Sequence, residues 1–243
     1  MANEHRFDLT FLGSGNAFGS EGRAFSCFLL DGRYMFDCGP TVLQQLRRSG
    51  TSSHDIAVVL VSHFHGDHFF GLPFLILDAW HEGRTQDLHI VGPPGIEARA
   101  EQLLETAFPH IGERAAFKRV YTEVCDSTVY EVAGLNFRAG QVDHVPGLEC
   151  FAYRVESSGR TLVFSGDARL CDGLLRLAAG ADVLVLECSC VCEPVHLSPE
   201  GVAQVAAQAA PGAQTIVTHL DDNCQPEAFR GLHVATDLAR FRL

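Results

Sequence analysis

The pattern of apolar and polar positions along the chain predicts short strands interrupted by helices. Residues 7–12 alternate apolar and polar side chains and lead into Gly13-Ser14-Gly15, which predicts a first strand ending in a glycine-rich turn. Residues 26–30 and 34–37 flank Asp31-Gly32-Arg33, so we expect a β-hairpin there. Together these segments predict an antiparallel edge to a first sheet.

Helical spacing occurs in segments that carry start and stop signals. Residues 41–48 have apolar positions on one helical face, with Thr41 as the cap and Gly50 just beyond the end. Residues 72–80 predict a mostly buried helix. Residues 96–108 predict a helix that begins after two prolines and a glycine and ends before another proline.

The remaining apolar runs predict two groups of strands with helices between them. Strands are expected at residues 56–61, 89–91, 120–124, 127–132, 135–139, 151–155, 161–164, 183–186 and 215–218, and helices at residues 174–179 and 199–209. No linker, repeat or low-complexity segment divides the sequence. This order is most consistent with an α/β architecture of two packed sheets with helices outside, in one domain over residues 1–243.

Composition and charge restrict the classes of protein to which the chain can belong. No apolar run approaches the length needed to cross a bilayer, and the amino terminus lacks the apolar segment of a signal peptide. Nine irregularly spaced cysteines fit reduced thiols, so we expect a cytoplasmic protein that does not require disulfides. The net charge of -12 argues against a long polyanionic partner. It says little about a small anionic substrate, which bound metals could hold.

The segment His63-Phe64-His65-Gly66-Asp67-His68 is the strongest chemical signal, and it follows a buried strand directly. His63 and His65 would point the same way from extended backbone, whereas Gly66 allows a turn that brings Asp67 and His68 from another direction. This geometry predicts two metal pockets. Imidazole and carboxylate ligands suit Zn²⁺ and similar divalent ions. The alternative, a loop of surface histidines, is a poor explanation for a cluster at ligand spacing.

Three further candidate ligands each follow an apolar strand: His144, Asp167 and His219. If the strand ends meet at one edge, these side chains join the first cluster, and Asp167 could bridge two ions through its two oxygens. Taken singly, a histidine at a strand end or a Gly-Asp pair is more often a surface or turn residue. Their conjunction with the first cluster favours a metal site.

With these motifs in this order over nearly its whole length, the chain resembles the metallo-β-lactamase fold hydrolases. The resemblance implies a four-layer αβ/βα sandwich, two divalent metal ions and a bridging hydroxide as the nucleophile. Zinc is the expected metal, with Mn²⁺ or Fe²⁺ also compatible with the ligands. The implied ligands are His63, His65 and His144 for one ion, Asp67, His68 and His219 for the other, and Asp167 for both.

Within that superfamily the chain looks most like the ribonuclease Z and phosphodiesterase branch. The motifs that carry this likeness are Phe11-Leu12-Gly13-Ser14-Gly15, Arg23, Phe36-Asp37-Cys38-Gly39, Gly71-Leu72-Pro73, and His196 ahead of Pro199-Glu200. The resemblance implies that His196 contacts the scissile phosphate or protonates the leaving oxygen, a role that imidazole suits near neutral pH. We therefore expect Asp67 and His196 to be catalytic, and Arg23 with His196 to bind an anionic substrate.

Two departures separate the chain from a transfer-RNA processing enzyme. Asp167 follows His144 by only 23 positions, which leaves room for one hairpin and none for the long arm with which ribonuclease Z grips RNA. Pro40 also stands where that family usually has glutamate. We therefore expect a small phosphodiester substrate in preference to a structured RNA.

Two other functions are compatible with the sequence. The same metal pair could hydrolyse a lactone, a thioester or a sulfate ester, because an activated water also attacks carbonyl carbon. Alternatively, the chain could be a non-catalytic metal-binding or carrier protein of this fold. Arg23 with His196 favours an anionic substrate if both face the metals, and a complete ligand set argues for catalysis.

The sequence also carries several weaker signals. The glycines after the first strand lack the spacing of a dinucleotide site. The Cys188/Cys190/Cys192 run could hold a soft metal, but its spacing is not that of a zinc finger. Asp37 and Asp143 are candidates to orient ligand imidazoles, although turn roles are equally open. Apolar residues 69–70 and 74–80 could leave a patch for a homodimer or a substrate rim.

Overall fold

Two mixed β-sheets form the framework of the protein. The computed structural model describes residues 7–157, 159–190, 194–224 and 226–243. The first sheet has the order β14-β1-β2-β3-β4-β5-β6, built from β1 (Asp8–Gly13), β2 (Cys27–Leu30), β3 (Tyr34–Phe36), β4 (Val58–Leu60), β5 (Leu88–Gly92), β6 (Arg119–Glu123) and β14 (Arg240–Arg242). The second has the order β13-β12-β11-β10-β9-β8-β7, built from β7 (Val129–Val132), β8 (Leu135–Val142), β9 (Cys150–Ser157), β10 (Arg160–Phe164), β11 (Val183–Glu187), β12 (Gln214–Thr218) and β13 (His233–Val234).

Each sheet has an antiparallel half and a parallel half. In the first sheet β14, β1, β2 and β3 pair antiparallel, and β3 to β6 pair parallel. In the second sheet β7 to β10 pair antiparallel, and β10 to β13 pair parallel. The predicted antiparallel edge and the predicted hairpin, β2 with β3, are confirmed, and β9 and β10 form a second hairpin. The carboxyl ends of the parallel strands therefore lie at one common edge of each sheet.

Helices cover the outer face of each sheet, which gives four layers. They are α1 (Val42–Ser49), α2 (Gly66–Phe69), α3 (Leu72–His81), α4 (Ile96–Ala107), α5 (Ile111–Arg114), α6 (Asp172–Ala178) and α7 (Pro199–Ala206). One apolar cluster packs α1, α3 and α4 on the first sheet, and another packs α6 and α7 on the second. A third cluster fills the space between the sheets, where the rings of Phe28, Phe36 and Phe164 contact one another. The predicted αβ/βα sandwich is confirmed.

Local sequence signals explain where two of these helices start and stop. Gly50 follows α1 in the left-handed region (φ 79°), and its amide donates to carbonyls of the last turn. Ser198 caps α7 by accepting from the amide of Gly201, with Pro199 in the first turn. Thr41 precedes α1 as predicted, but its hydroxyl accepts from the amide of Phe25 and makes no cap hydrogen bond.

Some features differ from the sequence-based expectations. Strands β13 and β14 and helix α5 were not predicted, because each is four residues or shorter and shows no readable periodicity. Cys190 and Cys224 form a disulfide, whereas we expected reduced thiols; Cys192 lies outside the described residues. Within the described ranges, no helix combines the length and apolar character needed to span a bilayer.

Candidate metal centre

The loop after β4 supplies the first four candidate ligands. His63 is fully buried, and His65 occupies the position just before α2. The chain then turns into α2, which carries Asp67 and His68 away from the direction of the first two histidines. This helical turn separates the two pairs, as the sequence analysis expected for the turn at Gly66.

Three strands of the second sheet bring the remaining candidates to the same place. His144 follows β8, Asp167 follows β10 and His219 follows β12, each within three residues of the strand end. The structure gathers all seven predicted ligands into two groups that share Asp167. In each group the ligand atoms lie within 4.8 Å of one another: His63, His65, His144 and Asp167 in the first, and Asp67, His68, Asp167 and His219 in the second.

The carboxylate of Asp167 lies between the two groups and presents one oxygen to each. Its Oδ2 is 3.9 Å from Nε2 of both His63 and His144. Its Oδ1 is 3.3 Å from Nε2 of His68 and 3.5 Å from Nε2 of His219. Oδ2 of Asp67 completes the second group at 3.1 Å from His68 and 3.2 Å from His219. This arrangement is the one expected of a carboxylate that could bridge two ions.

Hydrogen bonds fix the orientation of several ligand imidazoles. Nδ1 of His68 lies 2.6 Å from Oδ2 of the buried Asp37, whose carboxylate also accepts from the amide and hydroxyl of Ser62. The hydroxyl of Ser62 lies 2.9 Å from Nδ1 of His63. Each of these Nδ1 contacts leaves Nε2 directed at Asp167. Asp143, the other candidate for such a role, instead pairs with Arg169 at the surface.

Two residues of the site have strained backbone conformations. Asp37 and His219 both have left-handed backbone angles, with φ of 55° and 60°. Gly166, directly before Asp167, has φ of 57°, and a side chain there would meet Ser62 Cβ at 2.7 Å. Such conformations persist only where surrounding structure enforces them, and they are common at functional sites.

Unsatisfied buried atoms and local charge show that these residues fit a divalent cation. Nε2 of His63 and Oδ1 of Asp167 are buried and make no well-directed hydrogen bond within the described residues. Burial by itself would raise the pKa of Asp167, but the imidazoles of His219 and His68 hold it well below its usual range. Burial likewise opposes protonation of His68, yet neighbouring carboxylates raise its pKa well above normal. Carboxylates therefore surround these imidazoles, and a bound cation would offset their charge.

His196 lies beside these groups and is held by a residue that the sequence analysis missed. Its Nδ1 is 2.8 Å from Oε1 of Glu187, the last residue of β11. Burial acts to lower the pKa of His196, but the hydrogen bond and charge of Glu187 outweigh it and raise the pKa to about 9. The ring centroid of His196 lies 4.8 Å from that of His144 and 5.8 Å from that of His219. Glu187 could have been found from its place at the end of an apolar strand, the same signal that identified the ligands.

A cavity of about 550 Å³ opens onto both ligand groups. Its lining residues are Asn16, Ala17, Phe18, Ser20, His65, Asp67, His144, Val145, Asp167, Ser189, Val195, His196, His219, Asp221, Asp222 and Asn223. Arg23 does not line it in the described structure, and its guanidinium pairs with Glu21. The role of Arg23 in substrate binding stays a prediction.

Comparison with known proteins gives consistent matches over most of the chain. The family model described as beta-lactamase superfamily domain matches residues 32–220. Ribonuclease Z of Mycolicibacterium gilvum (strain PYR-GCK) is 30% identical over 247 residues, covering 90% of this chain and 86% of that protein. The metallo-β-lactamase fold protein YhfI from Bacillus subtilis has a TM-score of 0.79 at 19% identity, covering 98% of this chain and 100% of its own. The short form of human tRNase Z has a TM-score of 0.78 at 25% identity, covering 96% and 98%.

These matches agree with the fold and with the motifs. The two sheets, their outer helices and the ligand groups at the strand ends occur together in one chain. The family match covers more than half of the sequence, and the ribonuclease Z match extends over nine-tenths of it. The chain belongs to the beta-lactamase superfamily, in its metallo-β-lactamase fold, ribonuclease Z-like branch.

Proposed function

We propose that this protein is a metal-dependent phosphodiesterase that hydrolyses a small phosphodiester, with two divalent ions, zinc by preference, as cofactors. The observation that carries the proposal is the pair of ligand groups that share Asp167 at the floor of one cavity. Imidazole nitrogens and carboxylate oxygens in these numbers match the preferences of Zn²⁺. Mn²⁺ and Fe²⁺ accept the same donors.

The residues divide into holders of the ions and groups that act on the substrate. His63, His65 and His144 would hold one ion, Asp67, His68 and His219 the other, and Asp167 both. Bound there, two divalent ions supply activation of a water molecule and charge stabilisation at the phosphoryl oxygens. Asp67 also lines the cavity, so its carboxylate is placed to accept a proton from the attacking water.

His196 is the proposed general acid. Glu187 keeps it protonated near neutral pH and engages its Nδ1, which leaves Nε2 to donate to the leaving oxygen. Because His196 lines the cavity beside His144 and His219, a phosphoryl group bound at the ions would lie near its ring.

Three observations favour a small substrate. In the described part of the stretch between His144 and Asp167, residues 145–157 and 159–166, the regular secondary structure is the hairpin of β9 and β10, and this short stretch leaves no room for a long protruding arm. The net charge is -12, and Asp221 and Asp222 add carboxylates to the cavity wall. A cavity of about 550 Å³ has the size of sites that enclose small molecules.

A second candidate function is endonucleolytic processing of RNA. The likeness to ribonuclease Z over 90% of the chain favours it. The acidic surface opposes it, because RNA binding normally draws on basic residues to displace counterions. Direct comparison of the two substrate classes will separate the candidates.

The decisive experiment measures metal content together with turnover of bis(p-nitrophenyl) phosphate, a lactone, a thioester, a sulfate ester and a precursor transfer RNA. We expect about two metals per chain and hydrolysis of the diester that a chelator abolishes. An Asp167→Ala variant should lose both properties, and Asp143→Ala, whose carboxylate pairs with Arg169 at the surface, should keep them. Turnover of only the carbonyl or sulfate esters, cleavage of only the RNA, or metal binding without any turnover would each contradict the proposal.

We also propose that the protein is a single-domain cytoplasmic enzyme that can form a homodimer. Phe70 and Phe74 expose 49% and 41% of their surface, and this supports an apolar contact face. Sedimentation of the wild type and of a Phe70→Ser/Phe74→Ser variant would test the dimer. A monomeric wild type would contradict it.

A further inference from the structure

Phe18 is the most exposed large apolar side chain in the described structure, and it lines the cavity over the metal ligands. Its exposed fraction is 91%. The same cavity is lined by Asp67, Asp167 and His196. An aromatic ring left in water at the entrance to a polar site gains nothing for folding, because its apolar surface is not buried. Its position suggests that the ring is covered when substrate binds.

The loop that carries Phe18 is held firmly by hydrogen bonds on its inner side. Oδ1 of the buried Asn16 accepts from the amides of Phe18 and Ser20, and the amide of Gly19 donates to the Asn16 carbonyl. Gly19 adopts φ of 62°, which turns the chain back at this point. The backbone at Phe18 is therefore positioned before any ligand arrives.

The base of this loop is tied to the metal centre. Asp237 accepts from the amide and hydroxyl of Ser14 and from the amide of Ala24. The carbonyl of Ser14 accepts from the amide of His219, one of the proposed ligands. The backbone position of Phe18 relative to the ligand groups is thus set by the fold and does not depend on a free loop.

We infer that Phe18 is a stacking platform for a planar ring of the substrate, and that the substrate class is a nucleoside carrying one phosphodiester. The inference rests on the proposed phosphodiesterase function. A nucleobase offers a flat π-face that stacks on an exposed aromatic ring. A diester bound at the ions keeps its second ester arm inside the cavity, and a nucleoside on that arm brings its base towards the entrance.

Charge along the cavity argues for a single phosphate. Asp221 and Asp222 line it in addition to the proposed ligands, and Asp222 is exposed. Further phosphate groups next to these carboxylates would be repelled. Neutral ribose hydroxyls and exocyclic amines can instead donate hydrogen bonds to Asp222. Asp221 already accepts from the hydroxyl of Ser189 and the amides of Cys190 and Asn223.

The test compares two diesters that share a leaving group, thymidine 5′-(p-nitrophenyl phosphate) and methyl p-nitrophenyl phosphate. For Phe18→Ala we expect the ratio of kcat/KM on the thymidine ester to kcat/KM on the methyl ester to fall about 5- to 100-fold, mainly through KM, because stacking of one base is lost. Phe18→Trp should preserve or raise the ratio. Val129→Ala, which shortens an exposed apolar side chain outside this cavity, should leave it at the wild-type value.

An unchanged ratio in Phe18→Ala would overturn the inference while leaving the phosphodiesterase proposal intact. If the wild type hydrolysed neither ester, the proposed function would fail. Stacking on residue 18 would then be tested by nucleotide binding, without turnover. The fluorescence of Phe18→Trp, corrected with the wild type that contains one tryptophan, should then be quenched by thymidine 5′-monophosphate. Absence of quenching at saturating nucleotide would also overturn it.

Discussion

At the scale of single residues, Asp37 controls the geometry of one proposed ion site from behind the ligands. It is fully buried, contacts Nδ1 of His68 at 2.6 Å and accepts two hydrogen bonds from Ser62. Such a carboxylate fixes the tautomer of the imidazole and makes its other nitrogen a better ligand. Asp37 adopts a strained left-handed backbone conformation, which the surrounding structure must enforce.

Replacement of Asp37 should therefore weaken metal binding without removing a ligand. We expect Asp37→Asn to lower metal affinity about 10- to 100-fold, measured by competition with a chromophoric chelator. Asp143→Asn is the matched control, because that carboxylate lies at the surface beside Arg169. Equal affinities in the two variants would show that the Asp37 contact has no effect on the ions.

His196 offers a separate test at the same scale. His196→Ala should reduce kcat on an unactivated diester about 100- to 10,000-fold, because a general acid is lost, while metal content stays at the wild-type value. His233→Ala, which removes an exposed histidine in contact with Gln214, should be neutral. Unchanged turnover in His196→Ala would remove this residue from the mechanism.

At the scale of elements, the ligands depend on tight turns after the strands. Gly166 connects β10 to Asp167, and the space for a side chain is occupied by Ser62 on the loop after β4. The amide of Phe151 in β9 donates to the carbonyl of Ser62, and the hydroxyl of Tyr153 donates to that of Val61. These contacts join the two sheets directly beneath the site.

A side chain at Gly166 should disturb this joint. Gly166→Ala should destabilise the protein by about 1–3 kcal/mol more than Gly147→Ala, as measured by urea unfolding. Both positions have left-handed backbones, but a methyl group meets Ser62 at 2.7 Å at Gly166 and nothing within 4 Å at Gly147. Equal losses in the two variants would mean that only backbone conformation is involved.

At the scale of the whole molecule, the proposed ion sites lie where the two sheets meet, so bound metal should stabilise the fold. At free metal a thousandfold above the dissociation constant, one site contributes about 4 kcal/mol. For a chain of this size we expect chelation to lower Tm by about 8–16 °C per site. Differential scanning calorimetry across a range of free zinc would measure this. A Tm independent of metal would contradict the proposed ligand roles.

Some elements of the fold carry local sequence signals, and others depend on pairing with distant residues. The hairpin β2–β3 carries its turn signal and helix α1 carries its glycine stop signal within a few neighbouring residues, and both elements were predicted. Strand β14 was missed because it pairs residues 240–242 with residues 8–10, from the other end of the chain. The sequence Arg240-Phe241-Arg242 is too short to predict a strand by itself, and it forms one by pairing with β1.

The sequence by itself determined the seven candidate ligands, the order of most strands and helices, and the superfamily, because ligand type, spacing and periodicity are local properties. Only the tertiary structure decided that Asp167 faces both ligand groups, that Glu187 holds His196, and that Phe18 borders the cavity. It also paired Arg23, which is not among the cavity-lining residues, with Glu21. Most of these contacts join residues that are far apart in the chain. Even the short-range contacts depend on where the packed sheets place each loop, and no local sequence pattern encodes that placement.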